Sequence, residues 1–267
     1  MNKLNEERTA LIDLELILYS HAAKAESEGT GLRSLIQMTQ MKIDSIVASC
    51  KASNYYLIVS GRNNFRKTLY PTYKAGRPPK PELYEDLQAS IKELNASKWC
   101  CHDQIEADDL LAVILTNGKV KNPILCSIDK DMLGITGWHY NWNKDAWPTY
   151  VSQEEADYNW LVQLLMGDST DGIKGMEGIG TVKAKALIEK YAETTTCMLK
   201  NPIWSARYIY EKEGFSLDDF YSCLNTVTIW RNPFPKELLD NELIAEIVKT
   251  IPSLNTEIAH SEQTTND

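Results

Sequence analysis

Acidic side chains recur at four places in this chain, and their spacing is the feature that could do chemistry. Asp13 ends the apolar run TALID, and the segments EADD, DKD and GDSTD supply the others. Each group alone has an ordinary explanation, since acids cap helix N-termini and Asp and Gly form turns. Together they form a candidate set of metal ligands: Asp13, Glu106, Asp108, Asp109, Asp129, Asp131, Asp168 and Asp171.

A set of eight carboxylates needs a positive charge among its members. Two carboxylates about 4 Å apart repel each other by about 4 kcal/mol at an effective dielectric constant of 20. No histidine or cysteine accompanies the acids, and a site built only from oxygen ligands suits Mg²⁺ or Mn²⁺. Two such ions about 4 Å apart stabilise the attacking and leaving oxygens when a phosphate ester is cleaved. The acids therefore predict a two-metal phosphodiesterase centre.

The segment FRKTLYPTYKAGR, residues 65–77, mixes cations with aromatic rings and leads into a proline-rich stretch. Cations bind phosphates and aromatic rings stack on bases, so this composition is typical of a path for single-stranded nucleic acid. A solvated loop with two packing tyrosines is an equally good interpretation of the segment taken alone. The candidate substrate contacts here are Arg66, Lys67, Tyr70, Tyr73, Lys74 and Arg77.

The segment GMEGIGTVKAKAL, residues 175–187, predicts a tight glycine turn that opens a helix. Gly178 and Gly180 let the backbone approach a partner closely, and the free N–H groups of a helix start face an anion. Lys183 and Lys185 follow in the first turns, where a positive charge opposes the helix dipole. We therefore predict that this turn and its two lysines bind a nucleic-acid phosphate.

The elements that must position these residues alternate in the first half of the chain. Residues 9–14, 55–60 and 123–128 are short apolar runs, which predict three buried strands. Helical periodicity covers residues 32–49, 83–94 and 105–115, and the alternation predicts an α/β fold with a mostly parallel central sheet flanked by helices. Ligands of such sheets bind beyond the carboxyl ends of the strands, where Asp13 and Asp129 lie.

The second half of the chain is predicted to be helical. Helical patterns cover residues 154–166, 181–191, 203–213, 217–230 and 237–251, and a polar segment follows. The predicted organisation is an α/β core at 1–167, a helical region at 168–252 and a flexible tail at 253–267.

The composition excludes some classes of protein and leaves others open. The chain has 267 residues and a formal net charge of -9, and no apolar run approaches the roughly 18 residues of a membrane span. The N-terminus does not read as a signal peptide, so we expect a cytoplasmic protein. A negative net charge alone argues against nucleic-acid binding. That argument fails if the acids are concentrated at metal ions, because a basic path can then remain elsewhere on the surface.

At these residues the sequence resembles the 5' nuclease superfamily, which comprises flap endonucleases, the 5' nuclease domain of bacterial DNA polymerase I and the stand-alone bacteriophage 5' to 3' exonucleases. The matching motifs are ALID, FRKTLYPTYKAGRPPKP, IEADDLLA, SIDKDML and MGDSTDGIKGMEGIGTVKA, in family order from about residue 9 to about residue 190. The resemblance implies a PIN-like nuclease core with a helical arch at about residues 62–98. It also implies a helix-three-turn-helix DNA clamp in the helical region.

The resemblance also implies a role for individual residues. It assigns the eight carboxylates to two metal ions, Mg²⁺ or Mn²⁺. Lys74 and Arg77 fall at the foot of the arch, where basic residues of the family steer the scissile phosphate. Gly178 and Gly180 fall on the clamp, which in some members also holds K⁺ through main-chain carbonyls. With Asp13 and Asp129 as the central metal carboxylates, the predicted catalytic residues are Asp13, Lys74, Arg77 and Asp129.

The sequence departs from the family pattern near its first acid and at the second strand. Ser60 stands where many members carry another aspartate. Leu14 replaces the glycine that commonly follows the first aspartate, and Glu15 comes next as an unexpected acid. The serine at position 60 predicts that one of the two ions is held less tightly or through water.

The predicted function is that of a metal-dependent 5' to 3' exonuclease and flap endonuclease. Its substrates would be DNA with a free 5' end or 5' flap and also RNA in RNA–DNA hybrids, and its products would carry 5'-phosphates. We expect a free-standing monomer, such as a phage replication nuclease in the host cytoplasm. Two alternatives stay open: a non-catalytic nucleic-acid-binding module whose acids only cap helices, and a small-molecule phosphatase that uses the DKD segment.

Overall fold

The computed structural model describes residues 7–192 and 201–251, which form two compact units. The tail predicted at 253–267 lies outside the described residues. The first unit comprises residues up to 63, 78–129 and 137–150, and the second comprises 64–77, 130–136 and the chain from 151 onward. The two units interleave along the chain, because three separate segments build the second one. The boundary predicted between residues 167 and 168 stays a prediction.

A six-stranded sheet runs through the first unit. Its strands are β1 (Thr9–Asp13), β2 (Asn54–Val59), β3 (Trp99–Cys101), β4 (Pro123–Cys126), β5 (Gly137–Tyr140) and β6 (Thr149–Val151), in the order β3-β2-β1-β4-β5-β6. The pairs β1–β2, β1–β4, β2–β3 and β4–β5 are parallel. The predicted α/β fold with a mostly parallel sheet is therefore confirmed. Every residue of β1 is buried, as expected of a central parallel strand covered on both faces.

Ten α-helices occur among the described residues. They are α1 (Leu14–Glu28), α2 (Leu32–Ser49), α3 (Phe65–Leu69), α4 (Tyr84–Leu94), α5 (Ala107–Thr116), α6 (Gln153–Met166), α7 (Thr181–Ala192), α8 (Pro202–Lys212), α9 (Leu217–Val227) and α10 (Glu242–Lys249). Short 3₁₀ helices span Ala96–Lys98, Lys130–Gly134 and Lys236–Asp240. Within the described ranges, no helix is long and apolar enough to cross a membrane.

Helix α1 was not predicted from the sequence, and its packing explains how it forms. Leu14, Ile17 and Leu18 are buried at helical spacing and join the core beside β1. Gly29 ends the helix in the left-handed conformation, with φ of 69°, and its N–H donates to the carbonyl of Ala25. Because α1 begins directly after Asp13, it fixes the direction in which the chain leaves β1.

The range predicted as a helical arch, residues 62–98, holds two helices that belong to different units. Helix α3 lies in the second unit and α4 in the first. Tyr84, Leu87 and Ile91 of α4 are buried in the core of the first unit, where α4 packs on α1 and α2. The apolar face of α4 therefore belongs to the core of the first unit, and the helical arch stays a prediction.

The second unit is built from helices and one short hairpin. Helix α6 begins with a capping box in which the Ser152 hydroxyl and the Glu155 carboxylate each accept the other residue's N–H. The hairpin pairs β7 (Gly167–Asp168) with β8 (Ile173–Lys174) in antiparallel register. Gly167 has φ of 66°, and a Cβ there would stand 2.4 Å from the N atom of Gly175, so no larger residue fits this hairpin.

Candidate active site

Asp13 is a buried acid at the carboxyl end of β1. Its Oδ2 accepts a hydrogen bond from the Ser127 hydroxyl at 2.8 Å. The same hydroxyl oxygen accepts the N–H of Asp129 at 3.1 Å. Ser127 follows β4, the strand next to β1, so its side chain ties the ends of two neighbouring strands together. Sequence reasoning missed Ser127, although its place just before the DKD acids at the end of a buried strand was a usable signal.

The surroundings of Asp13 disfavour a negative charge there. Burial, as the largest cause, and the carboxylates of Glu15 and Asp129 together raise the pKa of Asp13 to about 7, while the hydrogen bond from Ser127 opposes the shift. The charged groups that act on Asp13 are thus both acids. A buried carboxylate with acidic neighbours is a site where a cation would be stabilised.

Two of the acids at the start of α5 serve as the cap of that helix. The Glu106 side chain accepts the N–H of Asp109, and the Asp109 side chain accepts the N–H of Glu106 at 3.3 Å. Both acids are buried, whereas Asp108 is partly exposed. The helix-cap interpretation of the EADD segment is therefore correct in the structure. This capping role also holds the two carboxylates rigidly at the helix N-terminus, where the dipole favours negative charge.

A second hydroxyl connects the end of β2 with two helices of the first unit. The Ser60 hydroxyl donates to Glu15 Oε2 at 2.7 Å and accepts the N–H of Ala107 at 3.1 Å. Both Ser60 and Glu15 were identified from the sequence only as departures from a family pattern. The structure brings them into direct contact.

In the second unit, Asp168 ends the first strand of the hairpin and Asp171 lies in the hairpin loop. Asp168 Oδ1 accepts the N–H of Thr170 at 2.8 Å and the N–H of Asp171 at 3.3 Å, which is the usual way in which an Asp side chain closes a turn. Asp168 therefore has a local structural role whatever else it binds.

Asp171 is paired with the two cations that were predicted to contact the scissile phosphate. Arg77 donates from Nε to Asp171 Oδ1 at 3.0 Å, and Lys74 Nζ lies 3.7 Å from Oδ2. The Lys74 N–H also donates to the Asp171 carbonyl at 2.9 Å. Asp171 is buried and Lys74 largely so, while Arg77 is exposed. The structure thus brings three predicted site residues together as an ion-pair cluster within the second unit.

Two of the predicted substrate contacts are buried. The Arg66 guanidinium donates from Nε to the carbonyl of Thr226 at 2.6 Å and from Nη2 to the carbonyl of Thr228 at 2.9 Å. Tyr73 is also buried. The expectation that these two side chains face a nucleic acid is therefore corrected, because their interactions lie in the interior of the second unit. Lys67 is exposed and Tyr70 partly exposed, so both stay candidates for substrate contact.

The glycine turn before α7 has the predicted form. Gly178 has φ of 73°, and the carbonyl of Gly180 accepts the N–H of Ala184, which opens the helix. Lys183 Nζ donates to the carbonyl of Gly178 at 2.9 Å. Lys185 is exposed. The ammonium group of Lys183 therefore occupies one main-chain oxygen of the turn at which the resemblance implied K⁺.

The eight predicted metal ligands are divided between the two units. The first unit holds Asp13, Glu106, Asp108, Asp109 and Asp129, and the second holds Asp131, Asp168 and Asp171. Across residues 7–192 and 201–251, no three His, Cys, Asp or Glu side chains lie close enough to hold a metal ion. Several of the eight take part in a helix cap, a turn or an ion pair, and their role as metal ligands stays a prediction.

A comparison with protein-family models shows to which family the chain belongs. Residues 8–159 match the model of the 5'-3' exonuclease N-terminal, resolvase-like domain. This match covers more than half of the chain, and the protein therefore belongs to that family of 5' nucleases, as the sequence motifs indicated.

Individual relatives agree with this assignment. The chain is 25% identical over 204 residues to the flap endonuclease Xni of Pseudoalteromonas translucida, covering 68% of this chain and 78% of that protein. It is 29% identical over 184 residues to the exonuclease of Escherichia phage T7, covering 66% of this chain and 56% of that protein. Among solved structures, the bacteriophage T5 flap endonuclease in a pseudo-enzyme–product complex with DNA and metal ions has a TM-score of 0.59 at 16% identity. That similarity covers 96% of each chain and shows the shared fold.

Proposed function

We propose that the protein is a divalent-metal-dependent 5' to 3' exonuclease and flap endonuclease that hydrolyses DNA to 5'-phosphate products. The observation that carries the proposal is Asp13, a buried acid with two acidic neighbours at the carboxyl edge of a parallel sheet, in a chain of the 5'-3' exonuclease family. The proposal is supported by relatives that are named flap endonuclease and exonuclease.

The acids of the first unit fit a hard divalent cation. All of their donor atoms are carboxylate oxygens, the ligands that Mg²⁺ and Mn²⁺ prefer. A bound ion of this type supplies Lewis acidity toward a phosphate oxygen and lowers the pKa of water. We propose Asp13, Glu106, Asp108, Asp109 and Asp129 as ligands in this unit. Asp131, Asp168 and Asp171 are proposed as ligands too, which makes two ions the expected number.

We propose that neighbouring side chains hold the metal-binding acids and the substrate in fixed positions. Ser127 keeps Asp13 oriented, and the capping box fixes Glu106 and Asp109. Arg77 and Lys74 are proposed to stabilise the charge that develops on the scissile phosphate. Their ion pairs with Asp171 keep both cations in place.

The substrate in this proposal is DNA with a free 5' end or a 5' flap, and RNA in RNA–DNA hybrids is a weaker substrate. Exposed Lys67 and Lys185 are proposed to bind phosphates. The bacteriophage T5 flap endonuclease, which shares the fold, was solved with DNA and metal ions, and that complex supports the choice of substrate. We further propose that the protein acts as a monomer in the cytoplasm, where such DNA occurs.

A labelled-substrate assay tests the function. The purified protein is incubated with a 5'-flap duplex and a blunt duplex, each labelled at either end, with Mg²⁺, with Mn²⁺ or with EDTA. Short 5' products from the blunt duplex are expected for an exonuclease, and a single cut at the flap junction is expected for a flap endonuclease. Asp129→Asn should bind both duplexes and cleave neither.

A second candidate, the non-catalytic nucleic-acid-binding module, is favoured by one observation. Several acids among the described residues form a helix cap, a turn or an ion pair. No three acids in the described part of the chain lie close enough together to hold a metal ion. If the wild-type protein binds both duplexes but gives no metal-dependent product, the binding module replaces the nuclease.

The glycine turn before α7 leads to a separate prediction about monovalent ions. Because Lys183 already donates to the Gly178 carbonyl, we expect affinity for blunt duplex DNA to differ by less than about twofold between KCl and NaCl of equal ionic strength. Lys183→Met should create a preference for KCl, and Lys185→Met should not. Fluorescence anisotropy with labelled duplex measures both effects. A strong KCl preference of the wild-type protein would instead support K⁺ at this turn.

A further inference from the structure

Glu15 is an acid of the first unit that the proposed function does not yet use. It lies on the first turn of α1, two residues after Asp13. Its Oε2 accepts the Ser60 hydroxyl at 2.7 Å, a short distance typical of a hydrogen bond to a charged acceptor. Ser60 directly follows β2, the strand next to β1. Glu15 therefore reaches from the end of one strand to the end of its neighbour.

The Ser60 hydroxyl also binds the start of α5. Its oxygen accepts the N–H of Ala107, the first residue of that helix. A hydroxyl that donates its proton to a carboxylate is a better acceptor for a second donor, so the two hydrogen bonds strengthen each other. The chain of contacts thus runs from Ala107 N–H through Ser60 to Glu15. Glu106, the residue just before Ala107, carries one of the proposed metal ligands.

We propose that Glu15 is a positioning residue of the nuclease reaction. By fixing the Ser60 hydroxyl, it holds the N-terminus of α5, and with it Glu106 and Asp109, in a set position relative to Asp13. The inference rests on the proposed function, because it assigns Glu15 to the same metal-binding acids. That the Glu15 carboxylate raises the pKa of Asp13 supports the closeness of the two groups.

A matched pair of substitutions separates positioning from a direct charge contribution. Glu15→Gln keeps an oxygen that can accept the Ser60 hydroxyl but removes the negative charge. Glu15→Ala removes both the acceptor and the charge. Glu26→Ala is the control, since Glu26 is an exposed acid on the same helix. The double substitution Glu15→Ala with Ser60→Asn tests rescue, because an amide oxygen at position 60 can accept the Ala107 N–H directly without adding a carboxylate.

The main readout is Mn²⁺ affinity of the DNA-free protein, measured by titration calorimetry. Glu15→Ala is expected to weaken Mn²⁺ binding by about 10- to 100-fold, as is usual when a residue that orients metal ligands is removed. Glu15→Gln and Glu26→Ala should stay within about threefold of the wild-type protein, and the rescue variant should recover most of the lost affinity. Unfolding temperatures in EDTA are measured for all variants, so that a loss of fold is recognised.

Other results would overturn the inference in distinguishable ways. An equal loss for Glu15→Gln and Glu15→Ala would assign Glu15 a direct charge role instead of positioning. A lower unfolding temperature with unchanged Mn²⁺ affinity in Glu15→Ala would make the contact merely structural. If wild-type protein and Glu15→Ala bind Mn²⁺ equally and both cleave DNA, only this inference fails. If the wild-type protein binds no Mn²⁺, the proposed function fails and the inference with it.

Discussion

Asp13→Asn is expected to make the metal-free protein more stable and the enzyme inactive. The acid is buried beside Glu15 and Asp129, and asparagine removes its charge while keeping an oxygen that can accept the Ser127 hydroxyl. At neutral pH without metal, the free energy of unfolding should rise by about 2–4 kcal/mol. Cleavage with Mg²⁺ should fall by more than about 100-fold, because a proposed ligand is lost rather than a residue that only orients one.

The gain in stability should depend on pH in a defined direction. The pKa of Asp13 is raised to about 7 in the folded protein, above a value of about 3.9 in the unfolded chain. The folded state therefore holds the proton more tightly. The stability that Asp13 contributes is present in full below about pH 4 and is lost as the pH rises through about 7. The difference in stability between Asp13→Asn and the wild-type protein should thus grow from pH 4 to pH 7.

Urea denaturation in EDTA at several pH values measures this difference. Asp86→Asn serves as a control, because Asp86 is an exposed acid of the first unit. Adding Mn²⁺ should raise the stability of the wild-type protein and of the control but not of Asp13→Asn, since a ligand stabilises the state that binds it. A variant that is less stable than the wild-type protein at neutral pH would show that the Asp13 charge is not disfavoured in the fold.

Arg66→Met is expected to destabilise the fold instead of weakening DNA binding specifically. The guanidinium satisfies the buried carbonyls of Thr226 and Thr228, and methionine leaves both without these donors. The expected loss is about 2–4 kcal/mol in the free energy of unfolding. For a chain of this size, that loss lowers the unfolding temperature by roughly 5–15 °C.

The neighbouring residue provides the control for this prediction. Lys67 is exposed, so Lys67→Met should leave the unfolding temperature within about 2 °C of the wild-type value and should weaken DNA binding in a salt-dependent manner. Thermal unfolding and fluorescence anisotropy of both variants, at a temperature where both are folded, distinguish the two roles. If Arg66→Met unfolded at the wild-type temperature and bound DNA poorly, the original expectation for Arg66 would be correct.

The strands at the centre of the fold could be predicted from the sequence. The segments of β1, β2 and β4 are apolar runs with β-branched residues, and such runs have few alternatives to a buried strand. Strands β3, β5 and β6 were missed because each has only three or four residues and none is buried along its whole length. Helix α1 was missed because its buried positions include small alanines and its first turn contains Glu15.

For the candidate site, the sequence indicated which residue types to consider but not their contacts. Asp13 and Asp129 could be placed from the ends of their strands. The capping box of Glu106 and Asp109 follows the local rule that acids are favoured at helix starts. Arg66 was assigned to the surface because a cation in a loop segment is usually solvated. Its partners lie 160 and 162 residues away in the chain, and no local pattern reports such a contact.

The interleaving of the second unit limits how the protein can be dissected. A fragment that starts at residue 151 contains α6 to α10 but lacks Phe65, whose ring lies 4.8 Å from the ring of Trp230, and it lacks Arg66. Truncation would therefore open a gap in the interior of the fragment and leave main-chain oxygens there without their donors. The helical half is not an autonomous module that could be expressed alone or fused to another enzyme. During synthesis, the buried side chains of α3 cannot make these contacts until residues more than 150 positions later in the chain have been made.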